Sequence, residues 1–289
     1  RQDGSIMQRI VGAFPAKDIL EAIQNGVNGK TWQVLEKEYL DGVDLSHREF
    51  YNMLIESDEL PKTSLISPGT FADEFEKAEK AGEQVVVIVL SAKLSGTYQS
   101  AMVAAADYDN VTVVDSESVA VGERILVDYA LRLKDQGKTA AEIAEELETA
   151  KKKVHVIALL DTLEYLKKGG RISSTAAVFG TMLNICPLLN MDDQGKLIPR
   201  FKIRTKKKVI RAIVDKMEEY AEGGLDYSGK CYISQSACIE DAREVARLVE
   251  ERFPKLNGKV EINNIGTTIG SHTGPGTVAV FFWGSKRTA

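Results

Sequence analysis

From Val85 to Leu90 the chain is apolar at every position, in the stretch EQVVVIVL. A run apolar on both sides of the pleat predicts a central parallel strand rather than an exposed edge. The downstream pattern alternates. SGTYQSAMVAAADY reads as a helix, VTVVDS as a strand, and VGERILVDYALRLKDQG and TAAEIAEELETAKKK as amphipathic helices, the last opening on the N-cap Thr139. Upstream, AKDILEAIQNGV has helical spacing at Ile19, Leu20 and Ile23 and a stop at Asn25-Gly26. DLSHREFYNMLIESDEL pairs the N-cap Ser46 with Glu49 three residues on, and PGTFADEFEKAEKAG is a helix stopped at Gly82. Strands alternating with helices predict a parallel sheet covered on both faces, an α/β/α domain over residues 1–154.

The texture changes near residue 154. VHVIALL is a strand, TLEYLKKGG a short helix, and ISSTAAVFGTMLN a helix of small residues. ICPLLNMDDQGKLIPRFKIR reads as two strands joined by the turn Asp193-Gln194-Gly195. A helix, TKKKVIRAIVDKMEEYAEG, and a strand, KCYISQSA, come next. IEDAREVARLVEERF is a helix capped at Glu240-Asp241, and VEINNIGTTIGSHTGPGTVAVFFW reads as strand, polar loop, strand. Residues 155–289 are therefore expected to form an α+β domain with a mixed or antiparallel sheet. The chain as a whole is α/β in two domains, with no internal repeat and no low-complexity linker.

Composition narrows the function. The 289 residues are 44% hydrophobic and 27% charged, ordinary for a globular protein with a real core. A net charge of −5 disfavours nucleic acid as the main partner. No apolar run reaches the roughly 18 residues of a transmembrane helix, and the N-terminal RQDGSIMQRI is polar, so no signal peptide and no stable membrane insertion are expected. Cys186, Cys231 and Cys238 are odd in number and form no CxxC pair, which fits a reducing cytoplasm better than a disulfide framework or a zinc site. The three histidines are too scattered to indicate a metal, and His155 reads as a structural residue of its strand.

Four polar loops are candidates for chemistry. In PKTSLISPG, Thr63 and Ser64 precede a turn, although Ser67 as a helix cap accounts for part of the cluster. SAKLSGTYQSA follows the apolar strand, on the usual ligand side of a parallel sheet. Ser95-Gly96-Thr97 either offers an anion the free N–H groups of a helix start or merely caps that helix. KKGGRISS places Arg171 after a double glycine, either as an anion partner or within a plain turn. GSHTGPG has more glycine than a hairpin needs and carries His272, a donor to an anion or an acid–base group. GxxxxGK[ST], GxGxxG, HExxH and GxSxG are all missing, and no carboxylate pair is placed for hydrolysis.

Taken in order, YLDGVDLSHREFY, TSLISPG, SAKLSGTYQSA, DTLEYLKKGGRIS, FKIRTKKK and HTGPG resemble the DegV family of bacterial lipid-binding proteins, from about residue 39 to the end. Such proteins are similar to the binding subunits of bacterial fatty acid kinases. The resemblance implies that one long-chain fatty acid is held between two domains. Its carboxyl group is presented to a partner, the fatty acid kinase catalytic subunit, which makes an acyl phosphate for phospholipid synthesis. It further implies a carrier that is not itself an enzyme, with no cofactor beyond the bound fatty acid and no metal.

The resemblance assigns the carboxylate to Thr63, Ser95, Gly96 and His272, with Ser64, Arg171 and Thr273 near that polar end. Arg204 and Lys206 are either part of a basic face that meets the kinase or a solvated helix start. In STAAVFGTMLNICPLL, the residues Ala177, Phe179, Gly180, Met182, Leu183 and Ile185 either line an acyl tunnel or pack an ordinary core. One departure is plain: family members begin with a strand ending in a Thr-Asp-Ser-like turn, and RIVGAFPAKDI has none. Two rivals come from other classes. One is an enzyme of phosphoryl or acyl transfer using His272 or Ser95 as nucleophile; the other is a DNA-associated regulator, which the −5 charge opposes.

Overall fold

A computed structural model describes residues 32–34, 37–39, 45–57, 60–173 and 185–288. In chain order its elements are β1 (Trp32–Val34), β2 (Lys37–Tyr39), α1 (His47–Glu56), α2 (Pro68–Lys80), β3 (Val85–Val89), α3 (Thr97–Ala105), β4 (Val111–Asp115), α4 (Val121–Asp135), α5 (Ala140–Ala150), β5 (Val154–Leu159), α6 (Glu164–Lys168), β6 (Ile185–Met191), β7 (Leu197–Arg204), α7 (Lys206–Tyr220), β8 (Tyr232–Gln235), α8 (Ile239–Arg252), β9 (Glu261–Asn264), α9 (Thr267–Thr273) and β10 (Val278–Trp283). They fall into two compact units, 64–152 and a second that joins 32–63 to 153–288. The later break falls between residues 152 and 153. Residues 32–63, expected with the first domain, group with the second unit. There α1 packs on α9, and the Tyr51 hydroxyl donates to the Ile265 carbonyl at 2.9 Å.

In the first unit β3 and β4 pair in parallel, with Val85 opposite Val111 and Val89 opposite Asp115. All five residues of β3 are buried. Val85, Val87 and Val89 meet Phe71, Phe75 and Ala101 of α2 and α3, while α4 contacts β3 and α5 contacts both strands. Local chemistry sets the helix starts. Ser67 accepts from the Thr70 N–H at 3.2 Å with Pro68 next to it, and Thr139 forms a capping box with Glu142. Ser46 and Glu49 form the same box on α1.

The second unit is built on a six-stranded mixed sheet ordered β7-β6-β5-β10-β8-β9. Only β8 and β9 run parallel, joined through α8; every other pair is antiparallel. The core puts Ile157, Val280 and Phe282 of the sheet against Ile213 and Met217 of α7 and Val245 of α8. The segment from Val260 to Trp283 departs from the strand–loop–strand expectation. β9 lies beyond β8 and β10 on its other side, so the connection must cross β8, and a helix, α9, lies in it. Glu240 and Asp241 sit in the first turn of α8 rather than capping it; Cys238 holds the cap position. The expected helix over Ile19–Ile23, the departure at the N-terminus, and the tunnel candidates Ala177, Phe179, Gly180, Met182 and Leu183 lie outside the described residues.

Among the described residues no helix is long and apolar enough to cross a membrane, and no group of His, Cys, Asp or Glu is arranged to hold a metal ion. All three cysteines are free.

Candidate functional site

His272 sits in the last turn of α9, in the second unit. Its Nε2 is 2.8 Å from the Thr63 hydroxyl. Its Nδ1 is buried and has no hydrogen-bond partner among the described residues. Burial, and then the Arg171 guanidinium, push the imidazole down to about 4, so His272 is neutral at pH 7. The pair keeps one hydrogen uncommitted in either tautomer. With the proton on Nε2, the ring donates to Thr63 and the threonine O–H is left to donate elsewhere. With the proton on Nδ1, the threonine donates to Nε2 and Nδ1–H is left. Because Nδ1 is buried against Gly169, it is the Nε2–H tautomer, with the Thr63 O–H free to donate, that can serve an acceptor such as a carboxylate.

Close approaches seat this histidine. Gly169 ends α6 at φ −73°, a conformation open to any residue, but a Cβ there would run into His272 Nδ1. Gly274 follows α9 at φ 71°, ψ −179°, a region essentially confined to glycine, and a Cβ there would enter the Tyr165 ring. The α9 backbone at Gly270 lies against the Tyr51 hydroxyl and the Phe50 ring. Tyr51, Tyr165 and Gly169 were not singled out in the sequence. Their only trace there was the double glycine, which reads equally well as a helix stop.

The other candidates have surroundings of their own. Arg171 folds back on its own turn and donates to the Gly169 carbonyl at 2.6 Å. The Thr273 hydroxyl donates to Ile269 O at 3.3 Å within α9, and Ser64 is exposed. Ile185 is buried at the start of β6. Arg204 is exposed at the end of the edge strand β7. Lys206 is held by the Asp161 carboxylate, by Asp241 at 3.1 Å, and by the Gly276 carbonyl at 3.4 Å. Burial opposes its charge, but the Asp161 and Asp241 carboxylates outweigh that and hold its pKa above the usual lysine value.

Ser95 lies in the first unit, before α3. Its hydroxyl accepts from the Thr97 N–H at 3.2 Å and bonds the Thr97 hydroxyl at 2.9 Å. It therefore does some of the work of a cap, while Gly96 holds the cap position itself with no side-chain bond. Gly96 has an ordinary φ of −74°, and a Cβ would meet only the tip of the Leu65 side chain at 2.8 Å. Ser91, Thr97 and Ser100 are buried. The loop is tied to the end of β4: Ser91 N donates to Ser118 O at 2.8 Å, and Asp115 accepts from the N–H groups of Glu117 at 2.8 Å and Ala92 at 3.3 Å. Burial raises the Asp115 carboxyl against the lowering pull of those N–H groups.

Fold and site define an α/β protein of two units, one carrying a neutral histidine–threonine pair and the other a hydroxyl loop at a strand end. The chain belongs to the DegV family, whose model, described as "Uncharacterised protein, DegV family", matches residues 31–284. A DegV domain-containing protein of Clostridium perfringens is 35% identical over 258 residues, covering 86% of this chain and 87% of its own. Among solved structures, a fatty-acid-binding DegV family protein from Thermus thermophilus superposes with a TM-score of 0.80 at 29% identity, covering 88% of this chain and 90% of that one. DegV from Bacillus subtilis, described as a fatty acid binding protein, gives 0.75 at 27% identity over 88% and 90%.

Proposed function

We propose that this protein binds a long-chain fatty acid, whose carboxylate is taken by Thr63 and His272 together with Ser95 and Gly96, and presents it to a partner kinase for acyl phosphate formation. The observation that carries this is the 2.8 Å contact between Thr63 and a partly buried, neutral His272. A neutral hydrogen-bonding pair, with the nearby Arg171 guanidinium bonded to the Gly169 carbonyl, suits a ligand whose affinity comes from its tail. About 15 methylene groups at roughly 0.8 kcal/mol each supply most of the binding, and the head group needs only orientation. The Thermus and Bacillus relatives named for fatty acid binding support the ligand class. Ser95, Gly96 and the handover to a kinase rest on the motif resemblance, with Arg204 as the docking cation. Lys206, paired with Asp161 and Asp241, is a weaker choice for that role.

Catalysis by His272 is the less favoured alternative. A base needs a third group to orient it, and among the described residues Nδ1 has no partner. An imidazole titrating near 4 is also largely unable to take up a proton at pH 7. Mass spectrometry of lipid extracted from the purified protein, with uptake of added oleate by delipidated protein, tests the proposal. A fatty acid recovered at near one per chain is the expected result. Neither bound nor acquired fatty acid would overturn it.

A further inference from the structure

We propose that Ser236, at the end of β8, is the positioning residue that holds His272 at the head-group site, acting through the loop from Gly274 to Thr277. This rests on the assignment of Thr63 and His272 to the carboxylate.

Ser236 is fully buried and makes four hydrogen bonds to that loop. Its hydroxyl donates to the Gly274 carbonyl at 2.7 Å and accepts from the Thr277 N–H at 2.9 Å. Its backbone N–H donates to Thr277 O at 3.0 Å, and its carbonyl accepts from Gly276 N at 2.7 Å. One residue thus fixes both ends of the loop. Gly274 is also bound to α9, since its N–H reaches Gly270 O at 2.7 Å. Placing Gly274 therefore places the last helical turn, in which His272 lies. Thr277 strengthens the link through its hydroxyl, which donates to Thr273 O at 3.2 Å.

Ser236 is itself held firmly. Gln235 beside it donates to Asn264 at 2.6 Å and accepts from Cys238 N at 2.8 Å, and Ala237 adopts φ 52°. A non-glycine residue in that region stores strain, which persists only where the surroundings fix it. From the other side Lys206 reaches Gly276 O while paired with Asp161 and Asp241. The loop is therefore clamped at three points, and the Ser236 hydroxyl is the one that reaches toward α9. Without it, the Gly274 carbonyl and the Thr277 N–H lose a buried partner, and the strand end gives no anchor to the helix. A shift of about 1 Å in α9 is enough to break a hydrogen bond to Thr63.

The test uses the full chain with Ser236→Ala, and Thr277→Val as a second variant that removes a hydroxyl but keeps the Thr277 N–H bond. The titration of each imidazole is followed by NMR, and oleate affinity is measured by displacement of a fluorescent fatty acid. His155 is the internal control: it is stacked on Tyr220 and Phe282 and bonded to Ser285 O at 2.7 Å, with no contact to the loop. In Ser236→Ala the His272 midpoint is expected to rise from about 4 toward the ordinary 6.5. The His155 midpoint should hold, and oleate affinity should fall about tenfold. Thr277→Val, which removes only the bond to Thr273 O, should move His272 the same way by less; if Ser236→Ala does not fold, Ser236→Cys, which keeps a weaker hydrogen-bonding group at the same place, decides the matter by the same two midpoints. An unchanged His272 midpoint, or equal movement of both histidines, overturns the proposal. If the wild type binds no oleate, the carboxylate assignment fails, while the imidazole titrations still decide whether Ser236 positions His272.

Discussion

Thr63 Oγ1 and His272 Nε2 are separated by 209 positions in sequence and 2.8 Å in space. The contact joins Thr63, in the segment that follows α1, to the last turn of α9, both within the second unit. Because the imidazole is neutral, the contact is an ordinary hydrogen bond, worth about 1 kcal/mol. Its significance lies in the donor that the pair leaves available.

The neutrality of His272 has a measurable pH signature. Its folded pKa of about 4 lies below the 6.5 of an unperturbed histidine. Between those values the unfolded chain binds more protons than the folded one, so stability rises with pH across that window. It is lost as pH falls from 6.5 toward 4 and is insensitive to this group above 6.5. His155, also depressed by burial, acts in the same direction. Urea unfolding at pH 7.5 and pH 5 should show a smaller acid loss for His272→Asn than for the wild type. A bound carboxylate favours the imidazolium, so loading with fatty acid should raise the His272 midpoint. Equal acid sensitivity of variant and wild type would show that His272 is not depressed.

Thr63→Val and Ser95→Ala each remove one hydroxyl of the proposed head-group site. Each should weaken oleate binding by about 1 kcal/mol, roughly fivefold. Kinase-coupled acyl phosphate formation should fall further than binding, because the tail still anchors a ligand whose head has lost its orientation. Ser95→Ala also removes the acceptor of the Thr97 N–H. A loss of thermal stability with phosphorylation intact would identify Ser95 as a cap only.

Gly169→Ala isolates the seat of the imidazole. The backbone at φ −73° accepts alanine, so the main obstacle is the collision with His272 Nδ1, with a tight 3.1 Å approach to the Tyr165 carbonyl beside it. The chain should fold with little change in melting temperature, while oleate binding falls by about as much as in His272→Asn. Full binding by Gly169→Ala would mean that His272 can move aside without cost, and that its observed position is unimportant.

What was legible in the sequence was local. Ser46 with Glu49, Thr139 with Glu142, and Ser67 before Pro68 each announce a helix within four residues, and each cap is found. The apolar run of β3 announced burial on both sides. α9 was not legible: GTTIGSHT is rich in β-branched residues and glycine, and its helix is held by packing of Gly270 on Tyr51 and Phe50, more than 200 positions away. The grouping of 32–63 with the second unit has the same origin, since α1 has its partner near the far end of the chain. At the candidate site, it is the motif resemblance that assigns Thr63 and His272 to one polar end, and nothing local to Ser236 or Gly169 shows what lies against them.

Arg204 and Lys206, adjacent to the start of α7, should behave differently when neutralised. Arg204 is exposed at the end of the edge strand, where its replacement leaves the core untouched. Lys206 is half-buried between Asp161 and Asp241, and its removal leaves two carboxylates facing each other without a cation. Arg204→Ala should keep its melting temperature and oleate affinity while slowing acyl phosphate formation by the partner kinase, most strongly at low protein concentration. Lys206→Met should lose thermal stability first, and it should weaken oleate binding through the Gly276 carbonyl that it supports. Melting curves, oleate titrations and coupled kinase assays on both variants separate the two roles. A stable Lys206→Met that binds oleate normally and fails only with the kinase would restore Lys206 as a docking residue and remove it from the clamp on the Gly274–Thr277 loop.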